Sequence, residues 1–313
     1  MSTTVSRSVG APVGASAQPP ALTRTRDNPF LARLRADELT LMLGLRVSRT
    51  ADILRIAHST GHHAVMIDLE HSMMSLQEAA ALCATAADLG MTPLVRVAEK
   101  EYGAIGRLLD GGAHGIVFPR VETAAEAVVL SRACRFPPQG QRSQTTMVPQ
   151  FGMRPTPAAA LNPELDALTI VQILVETPLG VANADEIAAV EGVDLLAIGA
   201  NDLTAELGVP GDYRDPRFRD AVETVARACQ RHGKMVQLAG IGDLSLVESF
   251  LLPGVCPLYT TGMDTDLLFS AARDRAHTYA AWRAAQRAKG DADGSGEGDA
   301  VGDEDKEKRT STS

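Results

Sequence analysis

Between about residue 41 and residue 287 the chain alternates short apolar runs with longer stretches whose apolar positions recur at helical spacing. The apolar runs are Leu41–Val47, His63–Leu69, Thr92–Ala98, Gly115–Val121, Leu168–Glu176, Val193–Gly199, Met235–Ala239 and Leu258–Gly262. Each has the length of a buried strand and is bounded by turn residues. The helical patterns between them are Thr50–Ser59, Ser75–Leu89, Tyr102–Leu109, Thr123–Arg135, Gly180–Val190, Asp215–Arg231, Asp243–Leu251 and Asp264–Arg287. Several open on a capping residue, as Thr123-x-x-Glu126 does in capping-box form. Others are preceded by a glycine that closes the unit before, such as Gly61, Gly90 and Gly192.

Strands that alternate with helices pair in parallel, and eight such units favour closure into a single (β/α)8 TIM barrel. The competing architecture is an open doubly wound sheet. That fold opens on a glycine-rich turn after its first strand, and Gly44-Leu45-Arg46-Val47-Ser48 is no dinucleotide fingerprint. The predicted organisation is a tail over residues 1–27, a barrel domain over 28–288 and an acidic tail over 289–313. The proline-rich stretch Arg135–Asp166 is long for a connection within a barrel, and loops of that length tend to serve as lids or interface segments.

Composition narrows the function classes. The chain has 313 residues, 45% of them hydrophobic, and carries a net charge of −9. Its apolar runs fall far short of the ~18 residues of a membrane span. Net acidity argues against nucleic acid and anionic membranes as partners. Cys83, Cys134, Cys229 and Cys256 are scattered without paired spacing, which fits reduced thiols in a cytoplasmic protein. The first 27 residues hold Arg7, Arg24 and Arg26 and no acid before Asp27. They lack the apolar segment of a secretory signal; a disordered tail is the plainer reading and an organelle transit peptide the alternative. From Lys289 onward the residues are too polar to support a core. Asp291-x-Asp293-x-Ser295-Gly296 mimics the start of a calcium loop, but Gly302 stands where the bidentate glutamate is needed.

The chemistry concentrates where strands end. Val65-Met66-Ile67 runs into Asp68, Glu70 and His71. Strand three carries Arg96, strand five ends in Glu176-Thr177-Pro178, and strand six ends in Ala200-Asn201-Asp202-Leu203-Thr204. Barrel enzymes place catalysis at the C-terminal ends of strands, so these positions form one set. Each has a plainer role. Asp68, Glu70 and His71 would be a hydrated strand end, Arg96 an internal partner of Asp68 or Glu70, and Glu176 and Asp202 helix caps.

Glu176 and Asp202 offer hard oxygen donors with no accompanying Cys or His pair, which suits Mg²⁺ or Mn²⁺, with Co²⁺ a further option. Such an ion beside Arg96 would grip a 2-oxo acid and stabilise the enolate formed when the adjacent C–C bond breaks. Imidazole ordinarily titrates near neutrality, which suits His71 to proton transfer. A Schiff-base lysine is the other way to stabilise that carbanion. Outside the tails only Lys100 and Lys234 exist, Lys234 on the face opposite the site and Lys100 in the loop after strand three. His62, His63 and His114 precede strands and belong to the face opposite the site. Asp110 reads as a helix-end acid.

These segments, in this order, resemble the HpcH/HpaI aldolase family, the metal-dependent pyruvate-type aldolases. The resemblance spans Leu41 to Ala284 and rests on Ile67-Asp-Leu-Glu-His71, Pro93-Leu-Val-Arg96, Leu108-Leu-Asp-Gly-Gly-Ala113, Arg135-Phe-Pro-Pro-Gln-Gly140, Val175-Glu-Thr177 and Ile198-Gly-Ala-Asn-Asp-Leu203. It implies a (β/α)8 barrel, Glu176 and Asp202 as metal ligands, and Arg96 contacting the oxo acid beside Ala200, Asn201 and Asp202. It also implies His71 as acid/base with Asp110 supporting it, and a homo-oligomer, hexameric or trimeric, with a swapped last helix. Gln141-Arg142-Ser143, Asp68-Leu-Glu-His-Ser72 and Asn201-Asp-Leu-Thr204 look closer to the macrophomate synthase branch. Leu174 replaces a glutamine, and Arg120 stands where a histidine is expected. The expected activity is cleavage or formation of a C–C bond in a 4-hydroxy-2-oxo acid, with a small-molecule oxo acid and an aldehyde as partners. Oxaloacetate decarboxylation with C–C bond formation is the alternative, and a catalytically silent scaffold a third reading. The aldehyde's pocket is expected in loops such as Arg142–Asp166.

Overall fold

The computed structural model describes residues 28–99 and 102–294. Residues 1–27 and 295–313, which hold the expected N-terminal tail, the expected C-terminal tail beyond Gly294 and the end of the calcium-loop mimic, lie outside the described residues, as does Lys100. In chain order the elements begin with α1 (Pro29–Arg35), β1 (Thr40–Leu45), α2 (Asp52–Ser59), β2 (Ala64–Asp68), α3 (Leu76–Asp88), β3 (Thr92–Arg96) and α4 (Ile105–Asp110). Next come β4 (Gly115–Phe118), α5 (Ala124–Cys134), α6 (Ala158–Leu168), β5 (Ile170–Val175), α7 (Pro178–Ala182), α8 (Ala184–Ala189) and β6 (Leu195–Gly199). The last are α9 (Ala200–Glu206), α10 (Pro216–Arg231), β7 (Met235–Ala239), α11 (Leu244–Glu248), β8 (Leu258–Met263) and α12 (Asp264–Gly294).

All eight strands pair in parallel in the order β7-β6-β5-β4-β3-β2-β1-β8. A parallel bridge between Val236 and Val255 joins β7 to the run into β8, and Gln237 Nε2 donates to Thr260 Oγ1 at 3.2 Å across the same gap. The result is the expected (β/α)8 barrel. Strand alternation sorts side chains into two cores. Val65, Ile67, Val95, Val171, Ile173 and Val175 point outward and pack under the helices. Met42, Ala64, Leu94, Val117, Leu174 and Leu195 fill the barrel interior.

The bottom of that interior is closed by α1, a helix the hydrophobic pattern did not suggest. Phe30, Leu31 and Leu34 join the interior cluster. Asn28 caps α1 by accepting from the Phe30 and Leu31 amides, and its Nδ2 donates to Leu168 O at 2.6 Å, fastening the plug to the rim.

Three expectations are revised. The strands stop two or three residues earlier than the apolar runs in β1, β3 and β4, where the chain leaves the sheet at the mouth. The stretch after Arg135 is ordered: it contains a 3₁₀ turn at Pro149–Phe151 and α6, around a satellite core of Phe136, Val148, Leu161 and Leu165. It joins the C-terminal end of α5 to the start of β5, so it lies at the bottom, away from the strand ends. Finally, α12 runs to Gly294, past the expected domain boundary at residue 288. Among the described residues no helix is long and apolar enough to cross a membrane.

The strands approach closely enough that side-chain size is limiting. A Cβ on Gly115 would lie 2.7 Å from Leu94 Cδ2 and 2.8 Å from Ile170 O, the latter a backbone atom that cannot rotate away. Gly115→Ala should therefore destabilise the fold by about 1–3 kcal/mol, as overpacking does. Urea unfolding measures this, and an unchanged midpoint would contradict the packing of β3, β4 and β5.

Candidate active site

The inward-facing parity of four strands ends in charge. On β1 the series Met42, Gly44 continues to Arg46; on β2 Ala64, Met66 ends in Asp68; on β3 Leu94 leads to Arg96; on β5 Gln172, Leu174 leads to Glu176. Of these, Met42, Arg46, Met66, Arg96, Gln172, Leu174 and Glu176 line a cavity of about 270 Å³ at the C-terminal mouth, with Asp68 behind its wall. Its other walls come from Gly199–Asp202, Ala239–Gly242 and Thr260–Met263.

The wall at β2 and β3 is internally neutralised. Register sets Asp68 beside Arg96. Arg96 Nε donates to Asp68 Oδ1 at 3.0 Å and Nη2 to Oδ2 at 2.7 Å, a bidentate pair, while Nη1 lies 3.1 Å from Glu70 Oε2. Arg46 Nε donates to Asp68 Oδ2 at 2.7 Å, and the amides of Glu70 and His71 donate to Oδ1. Burial would push the Asp68 carboxyl up, but the bonds and charge of Arg96, then Arg46 and the His71 amide, outweigh it and hold it at about 2. Glu70 moves the other way, raised chiefly by burial against the pull of Arg96. The plainer reading of Arg96 is thus correct in its contacts, and the same residue also faces the cavity.

The wall at β5 and β6 is different. Glu176 is 3% exposed, and Oε2 accepts the Arg120 amide at 2.9 Å. Arg120 reaches this position in the left-handed region, with φ of 50°. Burial first, then repulsion from Asp202 and Glu70, pushes Glu176 up to about 7, with the Arg120 amide and the Arg96 charge opposing. Neither acid caps a helix: Thr177 caps α7, and α9 starts at Gly199 without a side-chain cap bond. Gly199 is the cradle of Glu176, since a Cβ there would lie 2.3 Å from Oε1. Among the described residues no group of three His, Cys, Asp or Glu is gathered for a metal; Glu176 and Asp202 are two acids that line the cavity on this side. Two hard oxygen donors, the buried Glu176 and the exposed Asp202 that repels it, fit a divalent cation that completes its shell with water or substrate oxygens.

Other expected residues fall into place less closely. Ala200 and Asn201 line the cavity, and Asn201 Oδ1 accepts from the Tyr213 hydroxyl. His71 stands at the rim, its side chain 51% exposed and Nε2 3.7 Å from Glu70 Oε2, outside the cavity lining. Within one chain Asp110 is not brought to His71. It ends α4 at the bottom of the barrel, where Oδ1 accepts from the buried Arg142 at 2.8 Å. Arg142 in turn stacks over Phe136 at 4.6 Å. No residue of Arg142–Asp166 lines the cavity, so the expected acceptor loop is not there within a single chain. Lys234 donates to Val190 O and Val193 O at the bottom, and the four cysteines are buried and unpaired. Arg46, Gln172 and Gln237 were missed, though alternation along their strands pointed them inward. Gln172 Nε2 donates to Gln237 Oε1 at 2.7 Å across the cavity floor.

A barrel that gathers a braced guanidinium and an acid wall at the C-terminal ends of its strands has the architecture of a (β/α)8 enzyme. The profile of the HpcH/HpaI aldolase/citrate lyase family matches residues 45–269. The chain belongs to that family of carbon–carbon lyases. The 4-hydroxy-4-methyl-2-oxoglutarate aldolase of Hapsidospora irregularis is 39% identical over 217 residues, 69% of this chain and 80% of its own length. A solved HpcH/HpaI aldolase/citrate lyase family protein from Burkholderia cenocepacia J2315 is 31% identical with a TM-score of 0.71, covering 80% of this chain and 99% of its own. Macrophomate synthase shares the fold, with a TM-score of 0.66 at 23% identity, covering 83% of this chain and 88% of its own.

The Asp68 brace should be measurable without any substrate. Its folded carboxyl titrates at about 2, against an ordinary aspartate near 3.9. The depressed value means its stabilisation is complete above about pH 4 and is lost as pH falls towards 2, a contribution of about 2.5 kcal/mol. Asp68→Asn should lower stability at pH 7 by about 3 kcal/mol, because it leaves buried guanidinium charge uncompensated. It should also flatten the acid limb of the stability profile between pH 4 and 2. Urea unfolding across pH tests both, and an acid limb identical to the wild type would contradict the assignment.

Proposed function

We propose that the protein is a divalent-metal-dependent aldolase that cleaves or forms the C–C bond between C3 and C4 of a 4-hydroxy-2-oxo acid. The observation that carries this reading is the asymmetry of the mouth. One wall pairs its charges internally, whereas the Glu176–Asp202 wall is left with carboxylates that repel each other. Membership in a family of aldolases and citrate lyases, and a 39% identical relative that acts on a 4-hydroxy-2-oxo acid, support the same chemistry.

Glu176 and Asp202 would hold the ion, either Mg²⁺ or Mn²⁺ by donor type. Bound there, it would supply Lewis-acid stabilisation of the negative charge that develops on the oxo oxygen. The chain's own groups do the rest. Arg96, fixed by Asp68 and Glu70, presents a guanidinium that cannot swing away and so orients the oxo acid without losing freedom at the moment of reaction. His71 at the rim takes the proton from the 4-hydroxyl as the C3–C4 bond breaks, the bonding pair moving to C3 and C2 as an enolate. Return of a proton to C3 yields the oxo acid product.

Asp110 can serve His71 only from a second copy of the chain, since its own α4 carries it to the opposite end. The outward display of Leu268, Phe269, Tyr279 and Trp282 along α12 supports a homo-oligomer in which that helix is covered by a neighbour.

The test is pyruvate release from 4-hydroxy-2-oxo acids with Mg²⁺ or Mn²⁺, then after EDTA treatment and metal restoration. Activity should vanish with EDTA and return with the ion; EDTA-insensitive turnover would sink the mechanism. Glu176→Gln should lose at least on the order of 100-fold in kcat/KM, more than loss of an outer-shell partner costs. Because a proton on Glu176 competes with the cation, and that carboxyl sits at about 7, metal affinity should rise with pH and level off above about 7. Calorimetric titration with Mn²⁺ at several pH values checks this, and a pH-independent affinity would remove Glu176 from the ligand set.

A further inference from the structure

The proposed chemistry uses Arg96, Glu176 and Asp202, and leaves a second cavity-lining guanidinium unassigned. Arg46 extends the inward series of β1, and its side chain is 30% exposed at the mouth. In a closed eight-stranded barrel β1 stands across the axis from β5, so Arg46 faces the Glu176 wall from the far side. Its backbone is pinned: Asp264, buried at the start of α12, accepts from the amides of Arg46 at 2.8 Å and Ser48 at 2.8 Å.

The side chain is pinned at one atom only. Nε donates to Asp68 Oδ2. Asp68 can take no more, because Oδ1 already accepts from Arg96 Nε and the amides of Glu70 and His71, and Oδ2 from Arg96 Nη2 and Arg46 Nε. Among the described residues no other acceptor is hydrogen-bonded to the Arg46 side chain. Asp266 at the same rim is bonded to Thr265 instead. Arg96, by contrast, spends all three nitrogens on Asp68 and Glu70. Arg120, the other guanidinium near the mouth, lies outside the cavity lining and pairs with Glu206 at 2.8 Å.

A guanidinium fixed through Nε and open at both terminal nitrogens is a fork shaped for a carboxylate. We propose that Arg46 is a specificity-determining residue that binds a second, distal carboxylate, making the preferred substrate a dicarboxylic 2-oxo acid. The inference rests on the aldolase reading for the reaction but not for the binding. With the oxo-acid end at Arg96, Glu176 and Asp202, the far end of the molecule points towards β1. The apolar side chains of Met42, Met66, Val117 and Leu174, which line the cavity beside the Gln172–Gln237 pair, then carry the carbon chain between them. A neutral aldehyde tail would leave the fork solvated and gain nothing from it.

The experiment has a turnover arm and a binding arm, in the full-length protein with Mg²⁺ present. For turnover, 4-hydroxy-4-methyl-2-oxoglutarate is compared with 4-hydroxy-2-oxopentanoate, which lacks the distal carboxylate. Arg46→Gln should lower the dicarboxylate-to-monocarboxylate ratio of kcat/KM at least about 30-fold, mainly through KM on the dicarboxylate. Arg46→Lys, which keeps the charge but not the fork, should recover part of the loss. For binding, calorimetry compares 2-oxoglutarate with 2-oxopentanoate, equal in chain length and differing only in the terminal group. The wild type should favour 2-oxoglutarate, and Arg46→Gln should abolish the preference. Equal losses on both ligands would assign Arg46 to bracing Asp68 and overturn the proposal. So would a wild type without preference, or selectivity that follows Arg120→Gln instead. If the wild type turns over neither substrate, the aldolase reading fails, while the binding arm still decides the role of Arg46.

Discussion

The carboxylate of Asp68 is the point on which the mouth of this barrel is built. It lies fully buried at the end of β2 and collects five donors: two from Arg96, one from Arg46 and the amides of Glu70 and His71. Taking such a charge out of water costs several kcal/mol, and only a nearly complete set of bonds offsets it. That requirement has geometric consequences. It locks β2 against β3 in one register, turns the chain so that Glu70 and His71 follow at the rim, and holds two guanidiniums side by side despite their like charge. Catalytic preorganisation here comes from a fully occupied acceptor, not from rigidity in general.

Across the cavity the rule is inverted. Glu176 is as deeply buried as Asp68, yet its one recorded hydrogen bond comes from a single backbone amide, and its nearest charged influences are mostly acids. The structure makes room for it by omission, since Gly199 has no side chain where Glu176 lies. One carboxylate is satisfied by the chain and the other keeps a single amide donor among acidic neighbours. That contrast divides the mouth into a wall that pairs its charges and a wall that leaves them unpaired. The bottom of the barrel carries the stabilising work: the α1 plug, the Arg135–Asp194 pair at 2.7 Å and Lys234 on the carbonyls after α8.

Much of this was legible along the chain. Eight apolar runs became eight strands, and the capping boxes at Ser75 and Thr123 formed as their spacing demands. The acids and Arg96 at the strand ends did converge. Other features were not legible for identifiable reasons. The plug α1 is short and its apolar residues have meaning only once there is a barrel bottom to fill. The stretch after Arg135 resembles a loop because α6 contains Pro163 and its core is a separate cluster of four residues. Arg46 lies within an apolar run, and only the parity of β1 in the closed barrel places it on the inner face. Asp110 was placed beside His71 by resemblance, whereas within one chain it pairs with Arg142 at the opposite end.

By itself the sequence determined the order of elements, the parallel sheet and the set of residues eligible for the mouth, since periodicity and capping are properties of neighbours in the chain. Only the tertiary structure decided which charges meet. Arg46, Asp68 and Arg96 come from three strands, and Glu176 becomes acid-surrounded only when β5 and β6 close on each other. Pairing, burial and the resulting shifts depend on distances set by barrel closure. No local pattern encodes which carboxylate will be saturated and which will be left with a single donor.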